Sequence, residues 1–261
     1  AGYSTFMGAN AGYRVTAGYN TAVGNDALIG QVGGASGTGN VALGYQSGYS
    51  ASTAANNTLV GYQSGYAVTT GASNVSLGAL AHYSLSVGNY NIAAGYQSSY
   101  YLTSGSNNVT LGYQSGYYLS TGAQNVLVGT IAGYLITTAN YNTHIGGNAG
   151  VYNSASNNTS VGYQALTGVN GASTGGNNTA LGYQTGYSIT TGTNNTIAGH
   201  TAGLYLTTGT SNTFMGLRAG QNTSVGGYNV SIGIDAGVVN TSGSYNTSVG
   251  YQAGYSSATS S

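Results

Sequence analysis

The sequence predicts an all-β fold, a parallel β-solenoid of about fifteen coils. Three observations predict it: a tandem repeat with a 17-residue period, β-branched and aliphatic residues at fixed places in each repeat, and a near absence of charge and of long helix-forming side chains. The repeat is clearest at Asn57-Thr58-Leu59-Val60-Gly61-Tyr62-Gln63-Ser64-Gly65-Tyr66. Equivalent units start at Ser4, Asn20, Asn40, Asn57, Asn74, Asn91, Asn108, Asn125, Asn142, Asn158, Asn178, Asn195, Asn212, Asn229 and Asn246. Two units break the spacing, and the same 16-then-20 irregularity returns after 138 residues. Leu28 and Leu166 replace the same glycine in those two blocks. The expected organisation is one solenoid over 1–261 carrying an internal duplication, 4–141 and 142–261.

Each column of the repeat has a physical reading. Position 1 is Asn in fourteen of fifteen units. Stacked amides can bond their neighbours above and below, so Asn57, Asn74, Asn108 and Asn178 are expected to form an inward ladder. Position 2 is always β-branched and position 4 is aliphatic, Met or Ala. The two share a parity, hence a strand face. Their side chains suit a packed pleat, so positions 2, 4, 8 and 12 are expected to fill the interior. Position 5 is Gly throughout, which marks a positive φ or a close backbone approach. Gly61, Gly78, Gly112 and Gly182 should therefore lie in single file. A 17-residue unit cannot bury a core alone, but stacked coils can. At about 4.8 Å per coil, fifteen coils predict a rod of about 70 Å. A propeller is excluded because each blade needs about 40 residues.

Composition narrows function. The chain has two Arg, two Asp, no Lys, no Glu and no Cys. Two cations cannot neutralise a row of phosphates, so nucleic acid is not an expected partner. No thiolate metal site or disulfide can form, and no apolar run approaches the roughly 20 residues of a membrane span. Neither catalysis nor a cofactor is expected. Asp26 and Asp235 lie twelve coils apart, far beyond the roughly 5–10 Å that paired catalytic carboxylates need. His82, His144 and His200 fall in different columns of coils 5, 9 and 12, and are read as variable outward or corner residues. Arg218 and Asp235 differ by 17 and should pair across adjacent coils, while Arg14 and Asp26 are read as end features.

The tyrosines carry the functional expectation. Tyr62, Tyr113 and Tyr183 represent position 6, and Tyr66, Tyr117 and Tyr187 position 10. A thin coil has no room for both columns, so at least one is expected outside as an aromatic stripe. Such a patch marks an interaction surface: either stacked rings between protomers or ring faces that bind surface glycans. The recurring Asn-x-Ser/Thr sequons follow from the Asn column, which is expected to be occupied inside.

At Asn178-Thr179-Ala180-Leu181-Gly182-Tyr183-Gln184-Thr185-Gly186-Tyr187 the chain resembles the Asn-Thr-x-aliphatic-Gly-x-x-small repeats of bacteriophage tail fibres and bacterial fibrous adhesins. More distantly it is similar to the head repeats of YadA-type trimeric autotransporter adhesins. The similarity runs through all fifteen units, although the period is longer and the tyrosines denser. The resemblance implies a left-handed β-roll, usually trimeric, serving as a shaft or adhesive head at the cell surface, outside the cell or on a virion. The function expected is therefore a structural and adhesive fibre segment that associates with copies of itself, as a trimer or a head-to-tail filament. Its start and stop within a coil suggest a segment of something longer. The alternative is an ice-binding solenoid, weakened because adjacent Thr residues such as Thr69 and Thr70 point to opposite faces of a strand.

Overall fold

Each repeat spends three residues, positions 2 to 4, on one strand. In the computed structural model, which describes residues 2–31 and 34–255, these strands pair in parallel with their counterparts one repeat away. The chain divides into two compact units, Ala1–Thr130 and Ile131–Ser261. The first carries eight strands, from Thr5–Met7 to Val126–Val128, and the second seven, from Thr143–Ile145 to Thr247–Val249. Within each unit the strand order follows the chain, and no helix occurs among the described residues. Each unit is thus a parallel β-solenoid with a 17-residue turn.

Register is strict. Thr58, Leu59 and Val60 lie beside Val75, Ser76 and Leu77. The two enlarged units keep it too: Thr21 still meets Val41, and Thr159 still meets Thr179. Leu28 and Leu166, where most other coils have Gly, both adopt a left-handed φ of 48° and are buried to 1% exposure. The leucine that replaces glycine therefore takes the same local conformation in both places.

The strand faces are the reverse of the sequence expectation. Position 3 points into the coil, while positions 2 and 4 face outward. Leu59, Leu127, Ile197 and Phe214 are buried, whereas Leu77, Leu181 and Met215 are 41%, 43% and 44% exposed. Uniformity along a column is not a sign of burial here. In-register stacking places like beside like on the outer face, where β-branched and aliphatic neighbours cover one another. The interior must instead match volumes within each coil. Phe214 at position 3 accompanies Thr223 at position 12, His144 accompanies Asn153, and small Ala93 accompanies Leu102, all buried. Positions 8 and 12 are inside as expected, exemplified by Ser64, Ser115, Leu85 and Leu119.

Two devices lock the coils, one polar and one steric. The Asn74 Nδ2 donates to Asn57 Oδ1 (3.1 Å) and to the Gly88 carbonyl (2.8 Å), and the Asn91 backbone N–H donates in turn to Asn74 Oδ1 (2.9 Å). The same pattern repeats at Asn108 and, in the second unit, at Asn195. Asn178 donates its Nδ2 to Gly192 and its backbone N–H to Asn158 Oδ1. These amides are fully buried, so each must find its partners inside the coil. At position 5 the constraint is steric. Gly61, Gly78, Gly112 and Gly182 have φ near 133°, and a Cβ on Gly112 would lie 2.5 Å from the Gly129 carbonyl oxygen.

Asn74→Ala removes the acceptor of Asn91 and the donor to Gly88, leaving both buried backbone groups unpaired. At about 1–3 kcal/mol per orphaned group, the expected loss is about 3 kcal/mol of unfolding free energy, measured by denaturant titration. The exposed neighbour Thr70→Ala should change it by less than about 0.5 kcal/mol.

Candidate functional site

Tyrosine columns stack ring on ring because their backbones are held one coil apart. At position 10 the ladder Tyr49–Tyr66–Tyr83–Tyr100–Tyr117 has centroid separations of 5.0, 5.1, 4.9 and 5.3 Å. A second file, Tyr101–Tyr118, meets it edge-on. The rings of this ladder are half-buried, as is Tyr187, whereas Tyr13 and Tyr255 of the same column are exposed. Desolvation, then the neighbouring hydroxyls, raises the Tyr66 and Tyr100 phenols above their usual range.

Position 6 is the exposed column. Tyr62, Tyr113 and Tyr183 are 51%, 50% and 43% exposed. They stack in pairs, Tyr45–Tyr62 at 5.5 Å, Tyr96–Tyr113 at 5.6 Å and Tyr163–Tyr183 at 5.8 Å, with His200 stacked on Tyr183. Position 7 pairs the same coils: Gln63 Nε2 donates to Gln46 Oε1, Gln114 to Gln97 and Gln184 to Gln164. The rung between the first two tyrosine pairs is empty of rings, because coil 5 carries Ala79 and Leu80 there. Stacking has a chemical consequence. Paired rings turn their faces toward each other, so within a pair the solvent meets ring edges and hydroxyls. The expectation that glycans bind ring faces along the whole column therefore needs revision: free faces occur only at the ends of stacks, as on Tyr62 and Tyr96 over Ala79.

The outward aliphatic file of position 4 was missed in the sequence, because it was assigned to the core. Leu77, Leu181, Met215 and Ile232 belong to it, beside a position-2 file that reads Thr143, Thr159, Thr179, Thr196 and Thr213 in the second unit. The signal that could have found it is its uniformly apolar character, beside a position 3 that ranges from Ala and Ser to His and Phe as a volume-balanced interior requires.

The histidines also differ from expectation. His82 and His144 are not outward or corner residues but fully buried, while His200 is exposed. Each buried ring places Nδ1 2.7 Å from a serine hydroxyl, Ser76 for His82 and Ser160 for His144, and each Nε2 is buried without a partner. Burial lowers His82 to about 3 and His144 to about 4. A histidine fits inside because its volume is balanced locally: Ser76 is small opposite His82, and Gly150 leaves room for the His144 ring.

The charges sort into a pair and two singles. Arg218 Nε and Nη2 donate to Asp235 Oδ1 (2.6 Å) and Oδ2 (2.8 Å), a two-pronged pair in the column that elsewhere holds Gln on Gln. This bond raises the Arg218 guanidinium further above its already high range. Asp26 accepts from the Asn10 side chain at 3.0 Å, and Arg14 lies over the Tyr13 ring at 5.5 Å. Among the described residues no three His, Asp, Glu or Cys side chains gather as a metal site, and no helix is long and apolar enough to cross a membrane.

Comparison with protein families, with curated proteins and with solved structures gave no match. What the structure itself defines is a class: tandem-repeat β-solenoid units bearing external aromatic ladders.

Two outcomes follow from this geometry. Unfolded imidazoles titrate near 6.5 while the folded ones stay neutral to about 3 and about 4. Stability is therefore complete above about pH 6.5 and falls as pH drops, because the unfolded chain takes up protons first; at pH 5 each histidine costs about 2 kcal/mol. Denaturant midpoints at pH 7 and pH 5 measure this, and His82→Leu with His144→Leu should flatten the difference. Leucine already occupies both columns, at Leu28 and Leu59. Separately, Ala79→Tyr with Leu80→Gln should complete the position-6 and position-7 rungs and raise stability by about 1 kcal/mol, seen as a higher melting temperature and a stronger near-ultraviolet tyrosine signal.

Proposed function

We propose that the chain is a structural and adhesive segment of a fibre displayed outside the cell, on a cell surface or on a virion, and that it associates with copies of itself. The carrying observation is the outward strand face. Leu77 in the first unit, and Ile145, Val161, Leu181, Met215 and Ile232 in the second, keep 37–44% of their surface exposed along charge-free files. An ordered apolar file of this kind is an interaction surface rather than a scatter of single residues. Its regular spacing is matched best by another chain with the same repeat, which makes a second copy the fitting partner. A lateral trimer uses this face, and a head-to-tail filament carries the coil-to-coil hydrogen bonding from one copy into the next.

Two further features support an exposed, durable role. The only Arg or Lys side chains are Arg14 and Arg218, and the latter is held by Asp235, so trypsin-like proteases find almost nothing to cut. The exposed tyrosine pairs of position 6 supply polar edges for adhesion, surface glycans included. A second reading, ice binding, draws on the outward Thr143–Thr213 file, since its side chains stand in register on one face; thermal hysteresis of the chain measures it.

Sedimentation velocity tests self-association. Leu77→Lys, Leu111→Lys and Leu181→Lys together should convert the assembly to monomer, since three like charges are placed in the buried face. Tyr62→Ser, Tyr113→Ser and Tyr183→Ser should leave it assembled. The opposite result places the interface on the tyrosine stripe, and a wild-type monomer at all concentrations ends the reading.

A further inference from the structure

In the first unit, Arg14, Gly30 and Ser50 occupy position 11 of three successive coils. The backbone shows it: the Arg14 N–H donates to Ile29 O and the Ser50 N–H to Tyr66 O, in each case the position-10 carbonyl one coil on. Gly30, in the middle of that column, is buried, and a Cβ there would lie 2.8 Å from the Cβ of Ala35 and 3.3 Å from that of Arg14, so no side chain fits between the coils. Beside it lies a surface cavity of about 350 Å³, lined by Arg14, Gly30, Gln31, Tyr49 and Ser50. That volume lies within the range of about 300–1,000 Å³ typical of small-molecule sites.

Its electrostatics are unusual for this chain. Asp26 is engaged by Asn10, and Asp235 by Arg218. Arg14 is thus the one guanidinium without a carboxylate partner among the described residues, and its contact is with the Tyr13 ring. An unpaired guanidinium offers a planar fork that matches the two oxygens of a carboxylate. One positive charge suits one negative charge and leaves a dianion half-neutralised. The remaining lining is an aromatic ring from Tyr49, a primary amide from Gln31 and a hydroxyl from Ser50. Those groups match a ligand with an apolar C–H face and several hydroxyls.

We infer that this cavity binds a carboxylate-bearing pyranose, the terminal unit of an acidic glycan, with the carboxylate on Arg14, the sugar face against Tyr49 and the hydroxyls on Gln31 and Ser50. The inference rests on the adhesive reading and names its ligand class. It sits at position 11, away from the outward strand face proposed for self-association, so the two can fail independently.

The test uses the full chain with N-acetylneuraminic acid, glucuronic acid, glucose and inorganic sulfate as probes, titrated by nuclear magnetic resonance. The two acidic sugars are expected to bind with millimolar affinity and to shift Arg14 and Tyr49 signals, with glucose and sulfate at least tenfold weaker. Arg14→Gln should weaken the acidic sugars at least tenfold at an unchanged melting temperature, and Tyr49→Leu should weaken them several-fold. Raising the salt should weaken binding, as screening of one exposed charge pair requires. Equal binding of glucose, preference for sulfate, unchanged binding by Arg14→Gln, or no binding to 50 mM ligand (about −1.8 kcal/mol) each overturns the inference. Sedimentation of the same samples separates the two ideas: an assembled chain that ignores acidic sugars sinks this site alone, and a monomer that binds them sinks only the self-association.

Discussion

Backbone hydrogen bonds run from each coil to the next, and this one constraint makes every side chain the neighbour of its own counterpart one repeat away. Thr58 lies beside Val75, Gly61 against Gly78, Asn74 under Asn91 and Tyr66 over Tyr83. Any property that repeats in sequence becomes a continuous line in space. Amides become a ladder, glycines a close-packed seam and phenol rings a stack. Where the repeat lapses, the line breaks, and the breaks are chemically distinct places. Ala79 interrupts the position-6 rings, a cavity lies beside Arg14 and Gly30, and Arg218 with Asp235 replaces a glutamine pair.

The same constraint treats the inside and the outside differently. Outside, repetition is favourable, since matched β-branched and aliphatic residues cover each other's flanks. Inside, repetition of a large residue would overfill a coil, so size is traded between positions 3, 9 and 12. Phe214 faces a Thr223 coil, and His82 shares its coil with Ser76. That trade admits two neutral histidines to the interior. It also couples stability to acid, because a buried imidazole resists the proton that the unfolded chain accepts.

Much of this was legible beforehand. The period and the parallel stacking followed from repetition, and the 17-residue offset of Arg218 and Asp235 put them in contact. The face assignment was not legible, and the reason is physical. Alternation along a strand tells which residues share a side but not which side is buried, and a column of valine, isoleucine and leucine reads as core by habit. His82 and His144 escaped for a related reason: a lone polar residue in a variable column gives no hint that its coil mates are small enough to admit it. The cavity beside Arg14 takes its lining from three successive coils, at Arg14, Gln31 and Tyr49, and no local pattern announces a vacancy.

The sequence by itself determined the winding of each unit, since only coils one period apart can satisfy so regular a series of Asn, Gly and Tyr. It also determined that the surface would be almost free of charge. The tertiary structure alone decided which face of the strands looks outward, which ring faces remain free and where one guanidinium stands without an acid. Those are questions of volume and direction around a closed coil, and a linear pattern with a period of two cannot carry a sign.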